Sequence, residues 1–129
     1  MKKILLQKAY TAMQKSYSPY SDFKVGAALL CKNGNIYTGC NIENAAFSPT
    51  NCAERTAFFK AISEGEREFC AIAVVGGKNA EITDFCMPCG VCRQVMAEFC
   101  SGDFEIITAN QNEIKTKKLS ELLPEGFKI

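Results

Sequence analysis

The sequence predicts an α/β fold in which one sheet starts with a hairpin and continues through helix–strand units. In residues 23–31, FKVGAALLC, every second residue is apolar and lies on the same strand face: Phe23, Val25, Ala27, Leu29 and Cys31. Asn33-Gly34 then forms a strong hairpin turn into a second strand at about residues 36–42. Residues 70–75, CAIAVV, are a continuous apolar run, which is typical of a strand covered on both faces.

Helical spacing of apolar residues predicts the helices of this fold. A first helix ends before the turn at Ser18-Pro19, and a second covers residues 52–63 with Asn51 as its candidate N-cap. The third helix is followed by a short strand at residues 104–108. The apolar stripes that predict the first and third helices are Leu5, Ala9, Ala12 and Met13, and Cys92, Val95, Met96 and Phe99.

Chain length and charge limit the class of protein. The 129 residues fit a single domain spanning residues 1–129. Its last part is predicted to contain a turn at Gln111-Asn112, a weak fifth strand and a short LSELL helix. The net charge of +1 provides no basic surface for a nucleic acid. The opening MKKILLQKAY has too short an apolar run for a signal peptide, and no run approaches the roughly 18 residues of a membrane span. We therefore expect a cytoplasmic protein without a nucleic-acid or membrane partner.

The eight cysteines are many for a chain of this length, which contains no histidine. They lie inside periodic apolar segments, whereas a secreted disulfide scaffold is usually shorter and rich in loops. Reduced thiols are the better interpretation, some as metal ligands and the rest as small buried groups. The second class is expected to contain Cys31, Cys40, Cys70 and Cys100.

Two predicted helix starts carry the remaining cysteines. Cys89 and Cys92 lie three residues apart after a proline, and Cys52 begins another helix, where the helix dipole favours a thiolate. Three thiolates around one zinc ion leave a fourth position open, as in catalytic sites. Cys86 could replace Cys89 or add a fourth ligand, which would close the site. The spacing of Cys86, Cys89 and Cys92 also resembles the start of an iron–sulfur run, although the closely spaced fourth cysteine is missing.

Glu54 stands at the head of an apolar helical stripe formed with Ala57, Phe58 and Ala61. Burying a carboxylate there is costly unless it has a partner or a function. Because residues two apart on a helix do not face the same way, Cys52 can bind the metal while Glu54 reaches the water on it. Arg55 is placed to donate hydrogen bonds to the thiolates.

Four motifs in the order YSPYSDFKVGAAL, NIENAAF, CAERTA and PCGVCRQ closely resemble the small homotetrameric cytidine deaminases of pyrimidine salvage. The resemblance covers nearly the whole chain, up to the LLPEGF tail. It implies a three-layer α/β/α sandwich with a mixed five-stranded sheet, one zinc ion per chain, and hydrolytic deamination of cytidine and deoxycytidine with release of ammonia. In such enzymes a zinc-held hydroxide attacks C4 of cytosine.

Matching motifs carry the roles of the family onto individual residues. The resemblance implies zinc ligation by Cys52, Cys89 and Cys92 and proton transfer by Glu54. The other roles it implies are a backbone N–H of Ala53 on the pyrimidine carbonyl, Asn41 and Glu43 on the ribose hydroxyls, Phe23 against the base, and Phe127 from a neighbouring subunit. By the residues alone, Asn41 and Glu43 could equally be turn residues at a strand end, Phe23 a core residue and Phe127 a docking residue of the tail.

Two positions depart from the pattern of this family. Phe47 stands where a tyrosine is common, so a hydroxyl contact there is lost. Cys86-Met87 replaces the more usual serine and adds a possible competing thiol. Three rival functions remain: a deaminase of another cytosine compound of the blasticidin type, a polynucleotide deaminase, and a structural zinc module without catalysis. The missing basic groove disfavours the second, and the stripe position of Glu54 disfavours the third.

Overall fold

A mixed five-stranded sheet forms the middle of the structure, a computed structural model that describes residues 1–129. The strands lie in the order β2-β1-β3-β4-β5; β3 and β4 are parallel, and the other neighbours are antiparallel. The elements are α1 (Lys2–Met13), β1 (Phe23–Cys31), β2 (Ile36–Cys40), α2 (Ala53–Ser63), β3 (Phe69–Lys78), α3 (Gly90–Phe99), β4 (Glu105–Ala109), β5 (Ile114–Lys118) and α4 (Leu119–Leu122).

Helices cover both faces of the sheet, which confirms the predicted three-layer arrangement. On one face α1 packs Leu5 and Met13 against the sheet side chains of Ala28 and Ala73. On the other face α2 and α3 bury a larger cluster around Phe58. The apolar stripe predicted for α1 is confirmed, because its four members are the buried residues of that helix.

Close approach of α1 to the sheet depends on Gly26 in β1. A Cβ atom on this residue would lie 2.0 Å from the carbonyl oxygen of Ala9 and 2.5 Å from the backbone nitrogen of Met13. Only glycine fits at this separation without movement of the helix backbone. Both faces of β1 are therefore covered, whereas its alternating pattern predicted only one apolar face.

The prediction that Cys70 is a buried packing residue is wrong, since its side chain is exposed. Leu30 pairs with Ala71 and Cys31 with Phe69, so a β-bulge leaves Cys70 without a partner on β1. Cys31 and Cys100 are buried as predicted, and Cys40 is only half-buried. All eight cysteines are free thiols.

Two local boundaries near the start of α2 differ from the sequence prediction. The N-cap is Cys52 rather than Asn51, because the backbone of Asn51 forms a bridge with Ile42 and its amide donates to the Thr56 hydroxyl at 3.2 Å. Strand β2 ends at Cys40, two residues earlier than predicted. The Ile42–Asn51 bridge then ties the end of this strand to the start of α2. None of the helices is both long and apolar enough to cross a membrane.

Candidate active site

The starts of α2 and α3 converge and bring three thiols together. Cys52 is the N-cap of α2 and Cys89 the N-cap of α3, both with extended backbone and neither with a capping side-chain hydrogen bond. Cys92 lies in the first turn of α3 and is buried. The sulfur atoms of Cys52, Cys89 and Cys92 all lie within 4.8 Å of one another. The structure thus assembles the three cysteines that the sequence selected.

The spacing of these sulfur atoms fits a tetrahedral zinc ion. Zn–S bonds of about 2.3 Å place two sulfur ligands about 3.8 Å apart. The Sγ atoms of Cys52 and Cys89 are 3.7 Å apart, and those of Cys89 and Cys92 are 3.5 Å apart. Thiolates are soft donors that suit zinc, and no histidine competes with them in this chain.

Arg55 supplies positive charge to the thiol cluster. Its Nη2 atom donates a hydrogen bond of 3.1 Å to Cys52 Sγ. Hydrogen bonds from Cys92 and then from Arg55 lower the pKa of Cys52 to about 5, against the opposing effect of burial. The same interaction with Cys52 raises the pKa of Cys92. Arg55 therefore stabilises negative charge on Cys52.

Cys86 stays outside the group of three sulfur atoms that could share a metal ion. Its backbone N–H donates to the hydroxyl of the buried Thr108 at 3.1 Å, which fixes the loop before Pro88 to β4. Burial and then the charges of Glu54 and Cys52 raise the pKa of its thiol to about 12. Cys86 is a neutral neighbour of the cluster in this arrangement.

Glu54 lies in the first turn of α2 with only 4% of its surface exposed. It shares the buried stripe with Ala57, Phe58 and Ala61, as predicted. Its side chain forms no ion pair. Burial, assisted by the negative charge of Cys52, raises the pKa of Glu54 to about 7. A carboxyl group with this pKa can accept and return a proton near neutral pH.

Two polar residues follow β2 beside the start of α2. Asn41 accepts a hydrogen bond from the backbone N–H of Val25 at 2.9 Å and donates one to the carbonyl oxygen of Phe23 at 2.8 Å. Glu43 accepts hydrogen bonds from the backbone N–H groups of Tyr20 and Ser21. The Ile42–Asn51 bridge places this pair next to the residue that precedes Cys52.

The remaining candidates for substrate contact differ in their surroundings. Ala53 is fully buried as the first residue of α2, so its backbone N–H belongs to the unpaired first turn of that helix. Phe23 has 42% of its surface exposed at the start of β1, which argues against the simple core interpretation. Phe47 is 92% exposed and lines a cavity of about 300 Å³ with Glu43 and Ser21.

Phe127 is 65% exposed. It lines a cavity of about 500 Å³ together with residues of α3 and α4, and none of the three clustered cysteines lines that cavity. The side chain of Gln94 donates to its carbonyl oxygen at 3.3 Å.

The sequence interpretation did not single out two serines that contact the polar pair. Ser16 donates a hydrogen bond to the side-chain oxygen of Asn41, and Ser21 donates one to Glu43. Both lie in the SYSPYS segment between α1 and β1. Serines in a turn that precedes a strand are a weak signal, because most of them only complete local backbone hydrogen bonds.

Comparison with known proteins gives the family of the chain. Residues 1–108 match the family model described as the cytidine and deoxycytidylate deaminase zinc-binding region. A cytidine deaminase from Sporosarcina psychrophila is 50% identical over 124 residues, which cover 95% of this chain and 88% of that protein. A blasticidin-S deaminase from Bacillus cereus is 32% identical, with 92% of this chain and 89% of that protein covered.

The architecture agrees with a solved structure. The crystal structure of a cytidine deaminase from Burkholderia pseudomallei has a TM-score of 0.91 and 45% identity, and the match covers 98% of this chain and 99% of that chain. The predicted fold class is thereby confirmed. The zinc-binding region of the family model and the three-cysteine cluster together support zinc as the cofactor. By both comparisons and by its fold, the chain belongs to the cytidine and deoxycytidylate deaminase family.

Proposed function

We propose that this chain is a zinc-dependent cytidine deaminase, which hydrolyses cytidine and deoxycytidine to uridine and deoxyuridine and releases ammonia. The observation that carries this proposal is the buried carboxyl group of Glu54, without an ion pair, beside three sulfur atoms at zinc-ligand spacing. A structural zinc site needs no such carboxyl group, and burying one without a function is costly.

Cys52, Cys89 and Cys92 would hold the zinc ion, with Arg55 donating to the Cys52 thiolate. When bound, zinc would supply a water molecule of lowered pKa as the nucleophile for C4 of the pyrimidine. Three thiolates donate negative charge to the zinc ion, so they would lower the pKa of its water less than neutral ligands would. The guanidinium of Arg55 offsets part of that charge.

Glu54 moves the protons of the reaction. Its carboxylate accepts a proton from the attacking water and delivers it to ring N3, then assists the departure of the amino group as ammonia. The water oxygen adds at C4, its second proton passes through Glu54 to the exocyclic amino nitrogen, and the bond from C4 to that nitrogen breaks, so the products are uridine and ammonia. The pKa of about 7 keeps both protonation states of Glu54 accessible during this cycle.

The nucleoside would be oriented by groups around the thiol cluster. The backbone N–H of Ala53 would donate to the pyrimidine carbonyl, and the exposed ring of Phe23 would pack against the base. Asn41 and Glu43 would bind the sugar hydroxyls from the end of β2. This sugar contact favours a nucleoside over other cytosine compounds, and the net charge of +1 provides no basic groove for a polynucleotide.

Assembly and cellular role are further parts of the proposal. Residues 1–129 would form a single domain that assembles as a homotetramer, with Phe127 of one subunit completing the site of another. Phe127 is exposed and lines a cavity that none of the three clustered cysteines lines, which supports an intermolecular role. Eight free thiols support a reducing compartment, so we place the enzyme in the cytoplasm. Its proposed action on free nucleosides assigns it to pyrimidine salvage.

Deleting residues 126–129 tests the shared site. We expect the KM for cytidine to rise by about tenfold or more, because an aromatic contact with the substrate is lost, while zinc content stays near one per chain. Steady-state kinetics and metal analysis of the truncated protein measure both quantities. A KM equal to that of the full chain would show that the tail does not contribute to the site.

The activity itself is tested by the change in ultraviolet absorbance when purified protein is added to cytidine, with ammonia measured in parallel. Turnover that a strong chelator abolishes and added zinc restores is the expected result. Zinc binding without turnover of cytidine would favour a structural zinc module. Turnover of blasticidin S but not of cytidine would favour the other small-molecule deaminase.

A further inference from the structure

Two hydroxyl groups from the segment between α1 and β1 contact the proposed sugar-binding pair. Ser16 Oγ donates to Asn41 Oδ1, and Ser21 Oγ donates to Glu43 Oε2. Both acceptors lie in the three-residue segment 41–43 that follows β2, one on each side of Ile42, which forms the bridge with Asn51. Each polar residue of the pair therefore has its own serine.

The orientation of the Asn41 amide is fixed by its backbone partners. The Val25 N–H can only donate, so its 2.9 Å contact identifies Oδ1, and the Phe23 carbonyl can only accept, so its 2.8 Å contact identifies Nδ2. With Ser16 as a second donor, both lone pairs of Oδ1 are occupied. One N–H of Nδ2 remains free.

The carboxylate of Glu43 only accepts hydrogen bonds, and most of its acceptor positions are occupied. Oε1 accepts the backbone N–H groups of Tyr20 at 2.9 Å and Ser21 at 3.2 Å. Oε2 accepts the hydrogen bond of the Ser21 hydroxyl, because a carboxylate cannot donate, and the oxygen of the same hydroxyl accepts the Phe23 N–H at 3.0 Å. A carboxylate has about four acceptor positions, and these contacts use three of them.

We propose that Ser16 and Ser21 are positioning residues that fill the second acceptor position of Asn41 Oδ1 and one acceptor position of Glu43 Oε2, leaving Asn41 with one free donor and Glu43 with one free acceptor for the sugar. This inference rests on the proposed function. A sugar hydroxyl can accept from Asn41 and donate to Glu43, whereas a hydrogen atom in its place can do neither. The serines thus favour substrates that carry sugar hydroxyls.

Ser21→Ala tests this assignment with two substrates, cytidine and 2′,3′-dideoxycytidine, which lacks both sugar hydroxyls. The variant keeps the two backbone contacts to Oε1 of Glu43 and removes the hydroxyl contact that holds Oε2 in place. We expect the KM for cytidine to rise about tenfold with kcat within about twofold of wild type, as a weakened hydrogen bond to a charged group predicts. The kcat/KM for the dideoxy substrate should stay within about twofold of wild type, since it makes no hydroxyl contact to lose.

Two further variants complete the experiment. Ser21→Thr keeps the hydroxyl and should retain most of the affinity for cytidine. Ser63→Ala is the matched control, because its hydroxyl donates only to the carbonyl of Lys60 at the end of α2. Ser16→Ala probes the pair independently through Asn41 and should show the same selective loss on cytidine.

Equal losses of kcat/KM on both substrates would overturn the proposal, because a merely structural role affects both alike. Unchanged kinetics on cytidine in both Ser21→Ala and Ser16→Ala would overturn it as well. Wild-type turnover of cytidine, measured first, tests the proposed function separately from the role of the serines.

Discussion

The face of the sheet under α2 and α3 is packed with aromatic rings, whereas the buried cluster under α1 contains only aliphatic side chains and a methionine. On the first face Phe58 contacts Phe69, Phe99 and Phe104, with ring centroids 5.2, 6.5 and 5.9 Å apart respectively. On the second face α1 packs on alanines of β1 and β3. The two converging helix starts that carry the thiols lie only on the aromatic face.

This difference assigns different tasks to the two faces. Glu54 and Phe58 lie four residues apart on one stripe of α2, so the packing of the ring also holds the carboxyl group. The α1 face contains no residue of the proposed chemistry in its buried cluster. Damage to the aromatic face should therefore affect stability and activity together, and damage to the α1 face should affect stability alone.

Phe58→Ala has the largest expected effect on stability. The ring is fully buried, so its removal should lower the free energy of unfolding by about 3–5 kcal/mol, as measured by denaturant unfolding. Because α2 then shifts relative to α3, kcat for cytidine should fall by about tenfold or more in the folded fraction.

Leu5→Ala on α1 is the matched control. It removes a side chain with 1% exposure and should lower the free energy of unfolding by about 2–5 kcal/mol while kcat remains near that of wild type. If both variants lose kcat to the same extent, the two faces do not have separate tasks.

Two glycines provide a finer comparison of the faces. A Cβ atom on Gly39 would lie 2.5 Å from the carbonyl oxygen of Ala53, at the start of α2, whereas one on Gly26 would meet α1. Each change to alanine should lower the free energy of unfolding by about 1–3 kcal/mol through overpacking.

Zinc affinity should separate the two alanine variants. Gly39→Ala should weaken zinc retention against a competing chelator, because it displaces the helix start that carries Cys52. Gly26→Ala should not. Equal zinc retention in both variants would show that the thiol cluster tolerates movement of α2.

Cys86→Ser has the smallest expected effect. The Cys86 thiol lies outside the three-sulfur group, so zinc content should stay near one per chain and the free energy of unfolding should change by about 1 kcal/mol. Metal analysis with thermal unfolding measures both. An empty site in this variant would mean that the ligand set was assigned to the wrong pair of cysteines.

The sequence predicted the helical stripes and the cysteines that cluster better than the details of the backbone. The helical stripe of Glu54 and Phe58 and the spacing of Cys89 and Cys92 follow from local periodicity, which long-range contacts did not override. The bulge at Cys70 has no local signal, because every residue of its apolar run fits a regular strand.

The N-cap of α2 and the hydrogen bonds of the two serine hydroxyls could not be predicted from the sequence either. Asparagine is a favoured N-cap residue, yet the backbone of Asn51 forms a β-bridge with Ile42. Only the folded chain brings these two residues together. The hydrogen bonds from Ser16 and Ser21 span 25 and 22 residues of sequence, so no local pattern indicates them.

Glu54→Gln tests the central claim most directly, through zinc content and the rate of cytidine deamination in one purified variant. Glutamine keeps the size of the side chain but cannot carry the proton, so we predict one zinc ion per chain and an intact fold. The rate should fall by at least about 10²–10⁴, the usual contribution of general acid–base catalysis. Loss of zinc together with activity would make Glu54 a ligand, and a rate close to wild type would make it a structural residue; either result would contradict the account.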